Sequence, residues 1–299
     1  MSVQVVGQRV KELLSRPILP YVELHLTDHC NLNCRGCCHF SPLADTWYAD
    51  VGSHEHDMRR LSRLFKNVEC IRLMGGEPLL HPQVSSFFAV TRRCFPDADI
   101  RLVTNGLLLS TMEPAFWWSC TTYRIRIDVT LYPIALDTDR IRGLADSHQV
   151  PLRIIETTEF HAGMNLRGDS EPAQAMRYCR AHNYCPFLKE GRIYPCVRPA
   201  VVGYFNRAFN TSIPTAGYLD IHERTATGWK ILEFLEKPCE ACRYCPYEYR
   251  YFPWGRSTKQ LEEWCITDDE LRAAGQVSCE GPGFTGTDVP LSAGLGEQH

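Results

Sequence analysis

The sequence lacks a strong excess of charge of either sign. Its 32 lysine and arginine residues face 35 aspartate and glutamate residues, which leaves a formal net charge of −3. A chain this close to neutral has no strong field to attract nucleic acid or an anionic membrane surface. We therefore predict no nucleic-acid partner and no membrane partner.

The sequence also lacks a long apolar run near its beginning. Residues 1–20 read MSVQVVGQRVKELLSRPILP, and charged residues interrupt every apolar stretch in them. This pattern fits neither the core of a signal peptide nor a membrane span. We expect a cytoplasmic protein, in which residues 1–20 form an N-terminal helix or extension.

Cysteine, by contrast, is abundant, with fifteen residues in a chain of 299. In a reducing compartment such thiols serve metal binding or chemistry rather than disulfides, and an odd number further disfavours a pure disulfide framework. The sequence therefore predicts metal or cluster sites.

Strand-like apolar runs alternate with helix-length segments in the first half of the chain. The predicted strands are VELHLT (22–27), CIRLM (70–74), DIRLVT (99–104), YRIRIDVTLY (123–132) and PLRII (151–155), and the helical segments are 54–65, 84–94 and 137–148. Such alternation predicts an α/β fold with a parallel sheet and functional loops at the carboxyl ends of its strands.

The alternation stops after about residue 170, where proline and aromatic residues become frequent. We predict one domain over 21–170, a small second module over 171–274, and a mobile tail over 275–299, which is rich in Gly, Ser, Thr and Pro.

The stretch CNLNCRGCC follows directly on the first predicted strand. Cys30, Cys34 and Cys37 supply three closely spaced thiolates, enough to hold three irons of a cubane cluster while the fourth iron stays open. Cys38 or His39 would instead complete a four-ligand zinc site, and this spacing alone does not decide between the two.

The stretch MGGEPLL follows the second predicted strand at the same sheet edge. Its paired glycines allow close approach of the backbone to a ligand, and Glu77 offers a carboxylate for a cation. The combination of both motifs after neighbouring strands favours the iron–sulfur interpretation.

With these motifs the sequence resembles the radical SAM superfamily. The resemblance implies a partial (βα)6 barrel over 21–170, a four-iron four-sulfur cluster on Cys30, Cys34 and Cys37, and S-adenosylmethionine (SAM) chelated by the open iron. It also implies an external one-electron donor of the flavodoxin or ferredoxin type. SAM contacts are expected from two loops after strands, at Gly75, Gly76, Glu77, Pro78, Thr104, Asn105 and Gly106.

One position departs from the superfamily pattern. Many members have an aromatic residue immediately before the third cysteine, where this chain has Gly36. The departure bears on packing over the cluster rather than on ligation. Cys38 is surplus to the motif, and we expect it to be a buried small side chain.

Six more cysteines lie between residues 179 and 245 of the predicted second module. Cys185 and Cys196 bracket a predicted hairpin that turns at Glu190 and Gly191, and CEACRYC then adds two overlapping CxxC pairs at 239–245. Spacing alone is equally compatible with a zinc ribbon and with an auxiliary cluster. The run from Cys179 through Gly191 to Cys196, followed by CxxC, resembles the Twitch or SPASM extension of radical SAM enzymes.

That resemblance implies a second four-iron four-sulfur cluster. Cys196, Cys242 and Cys245 are the expected ligands, the fourth being Cys185 or Cys179. Cys239 and the remaining member of that pair would be free thiols.

The compact plan resembles radical SAM enzymes that act on aminoglycoside or aminocyclitol intermediates. We predict a dehydrogenase that oxidises a carbinol to a ketone through the auxiliary cluster, with a small-molecule substrate because no leader-peptide domain precedes residue 21. The alternative is an epimerase in which Cys179 or Cys239 donates hydrogen. A non-catalytic zinc protein is the rival from another class. Candidate pocket residues are Asp128, Glu156, Glu159, Tyr132, His161 and the aromatic run 247–254.

Overall fold

The structure is a computed structural model that describes residues 16–266. The predicted tail, and all but the end of the predicted N-terminal extension, lie outside the described residues. Within 16–266, no helix is both long and apolar enough to cross a bilayer.

Five parallel strands form the centre of the fold. They are β1 (Ile18–Thr27), β2 (Asn67–Gly75), β3 (Asp99–Thr104), β4 (Ile125–Leu131) and β5 (Leu152–Glu156), each paired in parallel with its neighbour in chain order. The predicted α/β class with a parallel sheet is confirmed.

Four helices connect these strands: α1 (Val51–Leu64), α2 (Val84–Cys94), α3 (Pro114–Thr122) and α4 (Thr138–Ser147). Local sequence explains where three of them begin. Asp50 and Asp137 accept hydrogen bonds from backbone N–H groups of the first turns of α1 and α4, and α3 begins with proline at a position that needs no donor.

Alternate residues of each strand face opposite sides of the sheet. One set packs against the helices in a single apolar core, which includes Leu24 of β1 and Ile71 and Leu73 of β2. The other set is polar or charged, as in Glu23 and Arg72, which are paired across β1 and β2. The sheet therefore has one face covered by helices and one face suited to a polar ligand.

The same sheet continues into the predicted second module. β7 (Phe187–Lys189) pairs in parallel with the free edge of β1, followed by β8 (Arg192–Tyr194) and β9 (Leu219–Asp220). The hairpin between β7 and β8 turns at Glu190 and Gly191, both with positive φ, as such a tight turn requires.

The last short strand of the predicted barrel range does not extend the sheet. β6 (Glu159–Ala162) instead pairs antiparallel with β10 (Arg250–Pro253), about ninety residues further along. Three helices complete the described chain: α5 (Pro172–His182), α6 (Val197–Phe209) and α7 (Gly228–Leu235).

Candidate active site

The three predicted cluster ligands lie on a loop that leaves the end of β1, here called the cysteine loop (residues 28–40). Cys34 is buried, and Cys30 and Cys37 are half-buried. Burial raises the pKa of Cys30 to about 11 and that of Cys34 to about 12. These thiols are therefore protonated at neutral pH unless a bound cation displaces their protons. Cys38 is exposed, so its predicted burial is wrong.

The spacing of the sulfurs bears on which metal group fits. Zinc with bonds of 2.3 Å in a tetrahedron holds its sulfurs roughly 3.8 Å apart. Within residues 16–266, one group of three or more His, Cys, Asp or Glu side chains has all its ligand atoms within 4.8 Å of one another. It consists of His56, Asp57 and His222 and contains no cysteine. Cys30, Cys34 and Cys37 do not form such a group, so the described structure does not hold all three sulfurs as close together as a tetrahedral zinc site requires.

The paired glycines of the second motif are required by the protein backbone itself. A Cβ atom on Gly75 would lie 2.1 Å from the carbonyl oxygen of Thr27, and one on Gly76 would lie 2.1 Å from that of His29. The backbone N–H of Gly76 donates to Thr27 (2.9 Å) and that of Glu77 to His29 (3.0 Å). The GGEP loop therefore packs directly against the entry of the cysteine loop.

Glu77 joins this loop to the loop after β3. Its side chain is fully buried, with one oxygen accepting from the hydroxyl of Thr104 (2.7 Å) and the other from the backbone N–H of Asn105 (2.9 Å). Burial raises the pKa of Glu77 to about 7 despite these bonds, which oppose the shift. Glu77, predicted to offer a carboxylate to a cation, thus also connects the GGEP loop to the loop after β3 through hydrogen bonds. The adjacent Pro78 is buried.

Asn105 completes the connection. Its side-chain amide donates to the side chain of Asn31 (2.8 Å) and lies 3.6 Å from Cys30 Sγ. The backbone turns at Gly106, which has a φ of +79°. The structure thus brings together all the predicted SAM-contact positions and the first cysteine.

A buried polar chain, missed by the sequence analysis, supports the cysteine loop. Asp28 accepts from the hydroxyl of Tyr204 (2.5 Å) and from Lys189, and its other oxygen lies 2.7 Å from His25 Nδ1. His25 Nε2 lies 3.0 Å from Nδ1 of His39. This chain ties the loop to β7 and α6, and its sequence signal is the run of polar residues at the buried end of β1.

The six cysteines between residues 179 and 245 lie near one another, and we call them the distal cysteine group. Each is within electrostatic range of at least one other member. Cys239 Sγ is 3.8 Å from Cys242 Sγ. The hydrogen bond from Cys239 lowers the pKa of Cys242 to about 6, against the effect of burial.

Arg198 is a further member of this region that the sequence analysis missed. Its guanidinium donates to Cys245 Sγ at 2.9 Å. It also lies close enough to Cys179 and Cys196 to influence the pKa of each thiol. Its position two residues after Cys196 is the only sequence signal. A positive group here stabilises thiolates.

The three acidic residues predicted to line the pocket differ in burial. Asp128 is buried on the polar face of the sheet, 3.3 Å from Arg126 and 3.6 Å from Arg101. Glu156 and Glu159 are exposed. Of the three acids, only Asp128 lies in the interior, and it already has cationic neighbours.

The aromatic candidates pack around the cysteine loop and β6. His161 stacks on Tyr249 with ring centroids 4.2 Å apart, and Tyr132 stacks on Trp254 at 5.9 Å. Burial raises the pKa of Tyr132, and the nearby cysteines of the loop add to the shift. Tyr132 is therefore beside the candidate site.

No family model matches the chain. In sequence, it is 32% identical over 99 residues to a GTP 3′,8-cyclase of Campylobacter fetus subsp. fetus, a match that covers 33% of this chain and 31% of that protein. It is 36% identical over 96 residues to the Bos taurus molybdenum cofactor biosynthesis protein 1, which covers 31% of this chain and 15% of that protein. The chain thus matches a third or less of the length of these relatives.

Among solved structures, BtrN in complex with AdoMet and 2-DOIA has a TM-score of 0.44 and 16% identity, covering 76% of this chain and 85% of that one. Similarity at this level carries no functional argument. The sequence relationships, together with the assembled motifs, confirm the predicted resemblance to the radical SAM superfamily.

Proposed function

We propose that this chain is a cytoplasmic radical SAM enzyme that oxidises a carbinol carbon of a small aminosugar or aminocyclitol to a ketone. The observation that carries the proposal is the junction of three loops, in which Glu77 and Asn105 connect the GGEP and TNG loops to the cysteine loop. A site of this kind, with three ligands and an open position, suits a cofactor that is bound and consumed.

Cys30, Cys34 and Cys37 would hold the cluster, and residues 75–78 with Thr104 and Asn105 would hold SAM. When bound, the two groups supply a 5′-deoxyadenosyl radical that removes a hydrogen atom from an unactivated C–H bond. The chain contributes placement, because the loops that carry these residues are hydrogen-bonded to each other.

Oxidation of a carbinol removes one hydrogen atom, one proton and one further electron. The distal cysteine group would supply the acceptor for that electron through an auxiliary cluster on Cys196, Cys242, Cys245 and either Cys179 or Cys185. The guanidinium of Arg198, 2.9 Å from Cys245, supports such a role because it offsets thiolate charge. A flavodoxin- or ferredoxin-type protein would deliver the first electron.

An epimerase is the second candidate. It needs a thiol that donates a hydrogen atom, and Cys179 or Cys239 would serve. Cys239 is 9% exposed and adjoins Cys242, which supports a retained S–H in a protected position. A ligand role for Cys239 is the competing explanation of the same contact.

A zinc-binding interaction protein is the candidate from another class. It requires four ligands in a compact tetrahedron, whereas Cys30, Cys34 and Cys37 do not form a group with all ligand atoms within 4.8 Å of one another. Iron and zinc analysis of protein purified without oxygen separates this candidate from the enzyme.

The reaction is tested with SAM, a reductant and a panel of aminosugars in deuterated water. The dehydrogenase predicts 5′-deoxyadenosine and a ketone lighter than its substrate by two hydrogens. The epimerase predicts an isomer that carries one solvent deuterium. Absence of deoxyadenosine with iron-loaded protein and every substrate would contradict both.

A further inference from the structure

One segment of the distal part of the chain lies across the cysteine loop. Residues 254–257, which follow β10, form an antiparallel bridge between Arg256 and Cys34. The backbone N–H of Arg35 donates to Gly255 (2.8 Å), and that of Ser257 donates to Asn33 (2.8 Å). The loop is therefore held on one side by strand-like hydrogen bonds that are remote in sequence.

This segment directs one polar side-chain group at a cysteine sulfur. Trp254 Nε1 donates to Cys34 Sγ at 3.2 Å. An indole N–H can only donate, and a half-buried tryptophan normally finds a partner for it. The ring is held in place because it stacks on Tyr132, with an interplanar angle of 25°. The N–H is therefore fixed on the sulfur of a proposed cluster ligand.

The same segment also covers the loop with an apolar ring. The ring of Phe252 lies 2.6 Å from the position that a Cβ atom on Gly36 would occupy. Gly36 has a φ of +69°, which other residues adopt only with strain. Phe252 is 7% exposed, so the space left by the missing side chain of residue 36 holds a buried aromatic ring from β10.

We propose that Trp254 is a positioning residue that sets the reduction potential of the cluster held by Cys34, while Phe252 shields the same loop from water. This rests on the proposed function. Hydrogen bonds to the sulfurs and solvent exposure are two of the factors that set iron–sulfur potentials. When one electron enters from the donor, the cluster becomes more negative, and an N–H aimed at its sulfur stabilises that reduced state. Trp254 therefore raises the potential and eases reduction.

The test is Trp254→Phe, which keeps an aromatic ring beside Tyr132 and removes the N–H. Trp118→Phe is the matched control, since Trp118 is 65% exposed on α3. Both variants and the wild type are reconstituted without oxygen, and the midpoint potential of the electron paramagnetic resonance signal that changes on SAM addition is measured. We expect a lower midpoint in Trp254→Phe and an unchanged one in Trp118→Phe. Equal midpoints in all three proteins overturn the inference.

A second measurement covers the case in which Trp254→Phe does not hold iron. Wild-type protein labelled with ¹⁵N at the indole nitrogen of tryptophan is examined by pulsed electron paramagnetic resonance. A nitrogen hyperfine coupling to the SAM-responsive cluster supports the contact, and its absence contradicts it. If the wild type binds no iron, the proposed function fails as well, whereas iron-loaded protein without the coupling overturns only the role of Trp254.

Discussion

The two cysteine regions hold their thiols in different ways. In the cysteine loop, burial raises the pKa of Cys30 and Cys34, whose side-chain hydrogen-bond donors are the neutral groups of Asn105 and Trp254. In the distal cysteine group, burial contributes to a raised pKa at five of the six thiols, but a guanidinium contacts Cys245 and the pKa of Cys242 is lowered by its hydrogen bond with Cys239. The first region is shaped by backbone contacts between loops, and the second is adapted to negative charge.

The contrast suggests different tasks. A site that must accept and release a cofactor needs precise loops and an open position, whereas a site that stores charge needs compensation.

The largest expected effect is loss of SAM cleavage in Cys30→Ala. Removing one of the three proposed ligands would leave the cluster with two, so 5′-deoxyadenosine should fall to background. Cys242→Ala, in the distal group, should keep cleavage of SAM but lose the oxidised product. Cys94→Ala, half-buried in α2, is the control and should keep both. Chromatography of the reaction mixture measures the two products. Loss of SAM cleavage in both Cys30→Ala and Cys242→Ala would contradict the proposed difference between the two cysteine regions.

In the metal-free protein at pH 7, we expect the thiol of Cys242 to be alkylated about a hundredfold faster than that of Cys30. At pH 7 a pKa of about 6 makes Cys242 mostly thiolate, while a pKa of about 11 leaves roughly one Cys30 in ten thousand ionised. The two thiolate fractions therefore differ by about four orders of magnitude. The more basic thiolate of Cys30 is the better nucleophile, which offsets about two of these orders of magnitude in the alkylation rate.

The pH dependence has a definite sign. Because thiolate increases as pH rises through the pKa, alkylation of Cys242 by iodoacetamide should level off above about pH 7, one unit above its pKa of about 6, while that of Cys30 should still rise at pH 9. Peptide mass spectrometry follows each site. Equal rates for the two cysteines at pH 7 would contradict the electrostatic contrast.

Replacing glycine by alanine at three positions should change the free energy of unfolding by different amounts, according to the space and backbone conformation at each position. Gly76→Ala drives a Cβ into the backbone of His29, and we expect a loss of about 1–3 kcal/mol in the free energy of unfolding, with less iron bound. Gly191→Ala forces a left-handed residue into the β7–β8 turn and should cost about 1–2 kcal/mol.

Gly143→Ala is the matched control for this pair. It lies in α4 with nothing within 4 Å of its Cβ position, so alanine should stabilise the protein by about 0.5–1 kcal/mol. Denaturant unfolding measures all three variants. Unchanged stability and iron content in Gly76→Ala would show that the two loops are not packed as described.

The smallest expected effect concerns two asparagines. Asn105→Ala removes the bond to Asn31, and Asn206→Ala removes bonds at the end of α6, so each should cost about 1 kcal/mol of stability. Only Asn105→Ala should slow deoxyadenosine formation, because only Asn105 adjoins the cysteine loop. Equal rates in the two variants would contradict its placement in the site.

Much of the sheet could be predicted because its strands are short apolar runs between helical segments. β3 and α2 have the predicted bounds. By contrast, α3 was not predicted, since its sequence PAFWWSCTT has no clear apolar periodicity. The pairing of β6 with β10 was also missed because no local pattern specifies a partner about ninety residues away.

The residues of the candidate site likewise fall into those that local sequence predicts and those that only tertiary contacts reveal. Motif residues were found from their spacing after strands. Arg198 was not found, and Trp254 was named only as the last residue of the aromatic run 247–254, without a role toward a cysteine. Their proposed roles depend on tertiary contacts with Cys245 and Cys34. Local sequence carries the proposed ligands here, and the fold supplies the groups proposed to tune them.

The central claim is that the cysteine loop holds a cluster with one open iron. Its most direct test is electron paramagnetic resonance of reduced, anaerobically purified protein before and after SAM addition, with metal analysis of the same sample. We predict about eight irons per chain and a change in one of two cluster signals on SAM addition. Stoichiometric zinc, or cluster signals that SAM leaves unchanged, would contradict the account.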